Sequence, residues 1–224
     1  MVLDIRKFHN SVKRDLINSV AVPGQYVLDV GCGCGGDLLK WFNHDICLYG
    51  CDPDKESIAE AKKRLGSVNT NKWALFVGDI KVVPTREFDI ICYNFSLQYI
   101  FESFQLFDKT MKRVHEVSKS GTKFIGIVPD SEFIMNNQKF EDSLGNSFFR
   151  KKECLGEFGE KIWVNVSGAP YYKDGPKSEP IAYKDILITR LENMGFQLEY
   201  WRSLTPMPIG YISDMYSEFC FIKQ

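Results

Sequence analysis

Apolar residues in the first 130 positions follow two spacings, one typical of helices and the other of buried strands. Phe8, Val12, Leu16 and Val20 recur as on one helical face, whereas residues 88–93 are almost all apolar, as in a strand buried on both sides. This alternation predicts an α/β fold with a doubly wound, mostly parallel sheet. The predicted strands cover residues 26–30, 46–50, 74–77, 88–93 and 123–128, and the predicted helices cover residues 8–20, 36–43, 55–65 and 101–118, the last ended by Gly121.

The alternation stops at Pro129. At about residues 130–180, glycines and prolines interrupt the chain, and we predict an insertion on the same side of the sheet as the glycine-rich loop after the first strand. The insertion is expected to bind substrate as a lid within a single domain, residues 1–224. It is predicted to hold a short helix and antiparallel strands over 147–150 and 161–166, and a helix over 183–194, a strand over 196–203 and an antiparallel last strand over 216–223 follow it.

Composition sets broad limits on function. The 224 residues are 44% hydrophobic and 25% charged with a formal net charge of −1, which argues against binding nucleic acid by bulk charge but leaves room for a local basic groove. The seven cysteines are odd in number and scattered, which predicts a reducing compartment and no metal site. No apolar run has the length of a membrane span, so we expect no membrane association.

The most informative motif is a glycine-rich loop directly after the first strand. It reads Asp29-x-Gly31-x-Gly33-x-Gly35-Gly36, and glycines there let a ligand approach the backbone closely. Asp52 ends the second strand, 21 residues after Gly31, which is the spacing at which a carboxylate reaches ribose hydroxyls. Together the two features predict a nucleoside-binding crevice at the carboxyl ends of two parallel strands.

The acid before the glycines bears on which nucleoside binds. A carboxylate at Asp29 would repel a pyrophosphate, whereas it suits the ammonium end of S-adenosylmethionine, which carries no phosphate. A nicotinamide or flavin site, or a turn that only connects strand and helix, remains an alternative. The pattern resembles motif I of the class I S-adenosylmethionine-dependent methyltransferases, which implies their Rossmann-like fold.

Longer motifs sharpen this resemblance. Residues 6–13, 31–41, 93–103 and 124–131 resemble, in order, the motifs of the mRNA cap guanine-N7 methyltransferases. The resemblance implies methyl transfer from S-adenosylmethionine to guanine N7 of a 5′-capped RNA. Limited similarity to the cellular enzymes suggests the methyltransferase domain of a large-DNA-virus capping enzyme in the host cytoplasm. The abrupt start then suggests excision from a polypeptide with other capping domains, and a stimulatory subunit is a further expected partner.

The resemblance also implies two sets of site residues. The residues implied to bind the cofactor are Lys13, Asp29, Gly31, Gly33, Asp52, Asp79, Ile80, Phe95 and Ser96. Cap binding falls to Gln98, Tyr99, Pro129, Glu179 and Tyr216.

Elementary chemistry is consistent with this assignment. Guanine presents two donors on its Watson–Crick edge, and the single carboxylate of Glu179 can accept both, whereas adenine would leave it badly paired. Guanine N7 has a free lone pair and no proton, so we predict no general base and no catalytic acid–base pair.

Three positions depart from the family pattern. Cys34 and Gln98 stand where the family usually has Lys and His, and Ser11 stands where it has Trp. Among the basic clusters, residues 150–152 are the best candidate for RNA phosphate because they lie in the insertion.

Two further functions stay open, a methyltransferase acting on a small molecule or another RNA position, and a non-catalytic methyltransferase-like subunit.

Overall fold

The computed structural model describes residues 4–66, 72–151, 156–168 and 170–224. The helices are α1 (Ile5–Val20), α2 (Leu38–Phe42), α3 (Lys55–Leu65), α4 (Phe104–Glu116), α5 (Ser131–Asn136) and α6 (Lys184–Glu192). The strands are β1 (Tyr26–Val30), β2 (Cys47–Asp52), β3 (Trp73–Val77), β4 (Phe88–Asn94), β5 (Ser118–Pro129), β6 (Lys139–Glu141), β7 (Ser147–Arg150), β8 (Lys161–Asn165), β9 (Lys177–Pro180), β10 (Phe196–Ser203) and β11 (Tyr216–Lys223). Short 3-10 helices cover Ile80–Val82, Leu97–Glu102, Pro170–Tyr172 and Ile212–Met215.

The main sheet has seven strands in the order β3–β2–β1–β4–β5–β11–β10. Neighbours from β3 to β5 are parallel, and β11 is antiparallel to both β5 and β10, which confirms the predicted antiparallel last strand. The chain leaves β1 toward β2 on one side, while β4 lies on the other side, so a topological switch point opens between β1 and β4. Ligands of open α/β sheets bind in the crevice at such a point.

The two central strands hold this crevice in place because both their faces are buried. Val27 and Leu28 of β1 and Ile90 and Ile91 of β4 are fully buried between helical layers. Burying an aliphatic side chain of this size contributes about 1.5–3 kcal/mol. The loops that follow β1 and β4 therefore start from a rigid base.

The insertion folds as a second, antiparallel sheet in the order β6–β7–β8–β9. The sequence predicted β7 and β8 but missed β6 and β9, because β6 has only three residues and β9, with the sequence Lys-Ser-Glu-Pro, shows no apolar alternation. The inner face of this sheet packs into the main core through Phe148, Ile162 and Val164. It places β9 beside the crevice.

Two predicted boundaries after β4 are wrong. The expected helix over 101–118 is a 3-10 helix followed by α4, because Ser103 is extended and its side chain caps α4 by accepting from the Leu106 amide. Gly121 does not end a helix. It lies inside β5 with φ of +83°, at the exposed start of a strand that already begins at Ser118.

Three general features of the described residues bear on function. None of their helices is both long and apolar enough to cross a lipid bilayer. They contain no group of three or more His, Cys, Asp or Glu side chains arranged to hold a metal ion. Cys32, Cys34, Cys47, Cys51, Cys92 and Cys220 all carry free thiols.

Candidate active site

A cavity of about 680 Å³ lies at the carboxyl ends of the parallel strands. The main sheet contributes the loops after β1, β2, β3 and β4, and the insertion contributes the facing wall with Tyr171, Tyr172 and Glu179. Its described lining is acidic, because it contains four acids but only one lysine or arginine, Arg6. The acids are Asp52, Asp54, Asp79 and Glu179. Such a lining favours a cationic ligand over a pyrophosphate.

The glycine loop has the close approach that its sequence predicts. Gly31 has φ of +76°, and a Cβ added there would lie 2.4 Å from Cβ of Ser96. Ser96 cannot move aside freely, because its hydroxyl donates to the Val30 carbonyl at 2.6 Å. The loop after β1 and the loop after β4 therefore touch at Gly31, and only a glycine fits at this contact.

Asp52 joins the glycine loop to the end of β2. One of its carboxylate oxygens accepts from the amide of Gly33 at 2.9 Å, and the other accepts from the amide of Asp54 at 2.9 Å. A carboxylate oxygen can accept two hydrogen bonds, so each keeps a free position toward the cavity. Gly33 has φ of +51°, and the space beside it is open. This arrangement suits a pair of ribose hydroxyls.

Asp79 and Ile80 lie next along the same edge, after β3. Asp79 begins the 3-10 helix Ile80–Val82, accepts from the amide of Lys81 at 2.9 Å and pairs with the Lys81 ammonium at 2.8 Å. Ile80 is buried and gives this part of the cavity an apolar surface. An acid beside an apolar surface is a suitable environment for an adenine ring and its amino group.

Asp29 carries a buried carboxylate oxygen without a partner. The side chain is 2% exposed, its Oδ2 makes no hydrogen bond, and burial together with the nearby Asp37 raises the pKa of Asp29 to about 7. An unpaired buried acceptor is costly unless a ligand completes it. Asp29 does not itself line the cavity, so its assignment to the ligand ammonium stays a prediction.

Lys13 is held by an acid that the sequence analysis did not single out. Its ammonium lies 2.8 Å from Oδ1 of Asp37, which also pairs with Lys40 at 2.6 Å. Burial opposes ionisation of Asp37, but the two lysines and their hydrogen bonds outweigh it, so the pKa of Asp37 is lowered. Asn94 at the end of β4 donates to the same carboxylate. Asp37 could have been recognised as a site residue from the sequence, because it directly follows the glycines of the loop.

Phe95 forms the floor of the cavity in a strained backbone conformation. Its φ is +58°, which is rare for a bulky residue and characteristic of functional sites. Its ring lies 5.1 Å from the rings of both His9 and Tyr216. Ser96 follows it at the contact with the glycine loop.

His9 is a lining residue that sequence reasoning missed. Its Nε2 lies 3.0 Å from the hydroxyl of Ser213, and burial and the charge of Lys13 lower the pKa of His9 to about 4. The imidazole is therefore neutral at pH 7, and it acts as an aromatic wall rather than a cation. Its place within residues 6–13, the first motif of the resemblance, was the signal that could have found it.

Glu179 lies inside the cavity wall, at the inner face of β9. The side chain is 2% exposed, and its two oxygens accept from the hydroxyl of Tyr172 at 2.6 Å and from Nε2 of Gln98 at 2.9 Å. Burial raises the pKa of Glu179, and the two hydrogen bonds oppose that rise. The carbonyl oxygen of Gln98 is buried without a partner. Tyr172 is a partner of Glu179 that the sequence did not indicate.

The remaining predicted cap residues fall in different surroundings. Tyr99 is partly exposed at the cavity, and its hydroxyl lies 2.9 Å from that of Tyr171. Tyr216 is buried, which raises the pKa of its phenol and keeps it neutral. Pro129 is buried opposite Tyr216 at the end of β5 and does not itself line the cavity, so its role in the wall stays a prediction.

Arg150 is wrong as a phosphate contact. Its guanidinium is 11% exposed and pairs with buried Glu160 at 2.5 Å, and the hydroxyl of Tyr183 donates to the same carboxylate. The side chain is therefore used inside the insertion. Of the other two residues in this candidate cluster, Lys151 is exposed and Lys152 lies outside the described residues.

Comparison with known proteins agrees with this geometry. Residues 1–154 match the family model of the mRNA (guanine-N(7))-methyltransferase domain. The mRNA cap guanine-N(7) methyltransferase of Saccharomyces cerevisiae is 34% identical over 169 residues, which are 66% of this chain and 39% of that protein. The chain likewise spans less than half the length of two further fungal proteins of that name.

Solved structures show the same fold at low identity. The CcbJ methyltransferase from Streptomyces caelestis superposes with a TM-score of 0.70 at 13% identity, over 96% of both chains. The glycopeptide N-methyltransferase MtfA, in complex with S-adenosyl-L-methionine, gives a TM-score of 0.66 at 15% identity, over 96% of this chain and 94% of that one. The fold is therefore the class I, Rossmann-like methyltransferase fold.

Proposed function

The chain belongs to the mRNA cap guanine-N7 methyltransferase family, and we propose that it transfers a methyl group from S-adenosylmethionine to N7 of the guanine in a 5′ RNA cap. The observation that carries the proposal is the carboxylate of Glu179, which is buried in the wall of an acidic cavity and whose two oxygens each accept one hydrogen bond. These two carboxylate oxygens match the two donors of guanine.

The residues around the glycine loop fit S-adenosylmethionine. Asp52 would hold the ribose hydroxyls, and Asp79 and Ile80 the adenine. Asp29 and Lys13 lie behind the cavity lining, and the family resemblance assigns both to the methionine part of the cofactor. When bound, the cofactor supplies an activated methyl group on a sulfonium. The acids of the cavity favour this cation, and the open space beside Gly33 leaves room for it.

The insertion side of the cavity fits guanine better than adenine. Each oxygen of Glu179 already accepts one hydrogen bond and can accept a second, from guanine N1–H and the exocyclic amine. Each such charge-assisted bond contributes about 1.5–3 kcal/mol. Adenine would turn the N1 lone pair toward the carboxylate, so the same residues reject it. Tyr99 and Tyr216 supply aromatic faces for the base.

The chain contributes positioning rather than proton transfer. Guanine N7 carries no proton to remove, and His9 is a neutral wall rather than a charged acid. Holding donor and acceptor in line can lower the barrier by about 7–11 kcal/mol. Phe95, whose ring packs on Tyr216, and Ser96, which touches Gly31, both line the cavity and would fix that line. Glu179 also stabilises the positive charge that develops on the guanine.

A methyl-transfer assay with matched caps tests the proposal. We expect transfer to the dinucleotide GpppA and none to ApppA, with each compound present at the same concentration. A small-molecule methyltransferase would ignore GpppA both as substrate and as inhibitor. A non-catalytic subunit would show no transfer at all, and failure to bind S-adenosylhomocysteine would identify it.

The pKa of Asp29 gives a pH dependence with a definite sign. Without ligand the pKa of Asp29 is about 7, so below pH 7 most of the protein carries a protonated Asp29. A bound ammonium favours the ionised carboxylate, and binding below pH 7 therefore releases a proton. We therefore expect the affinity for S-adenosylhomocysteine, measured by calorimetry, to rise by up to about tenfold between pH 6 and pH 8.

Two variants control this measurement. Asp29→Asn should bind weakly with a flat profile over that range, and Asp45→Asn, at an exposed acid far from the loop, should behave like the wild type. Equal wild-type affinity at pH 6 and pH 8 would contradict the role of Asp29.

The cellular context belongs to the same proposal. We place the protein in the cytoplasm of a cell infected by a large DNA virus, with other capping domains in its polypeptide and with a stimulatory subunit as a partner. Free cysteines at six described positions support a reducing compartment. Copurification of triphosphatase and guanylyltransferase activities with the intact polypeptide tests the shared-chain part.

A further inference from the structure

The outer face of the second sheet carries an unusual row of side chains. The strand register aligns Lys139 of β6, Phe149 of β7, Trp163 of β8 and Ser178 of β9 across all four strands. Residues directly opposite in neighbouring strands share one face of a sheet. The row therefore presents a cation, two aromatic rings and a hydroxyl in a line about 15 Å long, given a spacing of about 4.8 Å between strands.

The two rings are exposed although large apolar groups elsewhere in this sheet are buried. Phe149 is 48% exposed and Trp163 is 39% exposed, whereas Phe148 and Ile162, on the inner face, are at most 1% exposed. The rings lie nearly parallel, with centroids 6.2 Å apart and an interplanar angle of 7°. Nothing in the described fold covers them.

The surroundings of the rings are polar and contain cations. Ser147 and Asn165 form the next row on the same face, and Lys161 precedes Trp163 by two residues. Lys161 pairs with exposed Glu102, and Glu141 is the acid on this face of β6. A surface of exposed rings, lysines, hydroxyls and an amide differs from the apolar centre typical of a protein–protein interface.

The row is connected through β9 to the part of the cavity lined by Gln98, Tyr99, Tyr172 and Glu179, which is called the cap pocket because the proposed function assigns it to guanine. Glu179 faces inward, whereas Ser178 on the same strand belongs to the outer row, because successive side chains of a strand alternate. β9 is also an edge strand of its sheet. A chain that leaves the cap pocket around this edge reaches Trp163 after one strand spacing.

We propose that this outer face binds the single-stranded RNA that follows the cap, with bases stacked on Phe149 and Trp163 and the backbone near Lys139. Aromatic stacking is tolerant of base identity, since every base has a flat face, and lysine attracts the phosphates. The proposal rests on the proposed function for the identity of the substrate. It explains how a chain with a net charge of −1 can hold RNA through one local surface.

The test compares a short and a long substrate. For the double variant Phe149→Ala/Trp163→Ala, we expect kcat/KM on a capped 20-nucleotide RNA to fall by about tenfold or more, with kcat/KM on GpppA unchanged. Phe104→Ala removes an even more exposed ring from α4 and should change neither value. Trp163→Phe keeps a ring and should retain most activity on the RNA.

A binding measurement separates this proposal from the activity. Fluorescence anisotropy with a labelled uncapped oligouridine should show binding by the wild type, weaker binding at higher salt and a loss of about tenfold in the double variant. If the wild type methylates neither substrate yet this binding pattern holds, the proposed function fails and the RNA surface stands. If the double variant matches the wild type on the RNA, or loses activity on GpppA equally, the RNA surface is wrong. A protein partner that protects the rings, with no RNA binding, would also overturn it.

Discussion

Glu179→Gln is expected to lower kcat/KM for GpppA by at least about 100-fold and to leave the affinity for S-adenosylhomocysteine unchanged. Glutamine has nearly the same shape but carries no charge, and its amide would turn a donor toward the donors of guanine. Two charge-assisted hydrogen bonds of about 1.5–3 kcal/mol each are lost or weakened, which corresponds to two or more orders of magnitude. Glu179→Ala should lose most activity for the same reason.

The measurement is a steady-state methyl-transfer assay paired with calorimetry of S-adenosylhomocysteine binding. Glu199→Gln, at an exposed acid on β10, is the matched control and should leave both values unchanged. A kcat/KM of Glu179→Gln within a few-fold of the wild-type value would show that Glu179 does not bind the cap guanine. Loss of cofactor binding instead would mean that Glu179 supports the fold of the cavity.

Gly31→Ala is expected to weaken binding of S-adenosylhomocysteine by at least about 100-fold. The new Cβ would lie 2.4 Å from Cβ and 2.8 Å from Oγ of Ser96, at a φ of +76° that alanine rarely adopts. Left-handed backbone costs about 1–2 kcal/mol, but it does so in the free and the bound protein alike and therefore lowers stability rather than affinity. The loss of affinity is expected to come from displacement of the loop after β4.

A matched pair of controls isolates the collision. Gly24→Ala carries the same kind of backbone strain, with φ of +84°, but its Cβ meets nothing within 4 Å. It should lower the melting temperature slightly and bind the ligand normally. Gly31→Ala/Ser96→Gly removes the opposing Cβ and should recover part of the affinity. Normal binding by Gly31→Ala itself would show that the loop contact does not shape the site.

The sequence predicts the main sheet well because its central strands are buried on both faces. Almost wholly apolar runs such as residues 88–93 are typical of strands buried on both faces, and the glycines after β1 indicate where the crevice lies. It predicts the insertion poorly. β9 is polar at three of its four positions and ends in proline, so only its pairing with β8 makes it a strand. Gly121 resembles a helix stop, but pairing with neighbouring strands places it in β5.

The same contrast holds for the site. Residues in the glycine loop and at strand ends, such as Gly31, Asp52 and Asp79, line the cavity as predicted because local geometry fixes them. His9 and Asp37 were missed although they lie in or beside recognisable motifs, because their partners Phe95 and Lys13 are distant in sequence. Tyr172 was missed because its bond to Glu179 depends on how the insertion folds. Arg150 was assigned wrongly to RNA phosphate, because its pairing with the buried Glu160 cannot be recognised from the sequence.

The most direct test of the central claim is a methyl-transfer assay on two capped RNAs that differ in one atom. One carries guanosine in the cap, and the other carries 7-deazaguanosine, which keeps the Watson–Crick edge that Glu179 binds but has carbon at position 7. We predict transfer to the first alone, with the methyl group mapped to N7 after digestion, and competitive inhibition by the second. Methylation of the 7-deaza cap, or a methyl group at any other atom, would contradict the account.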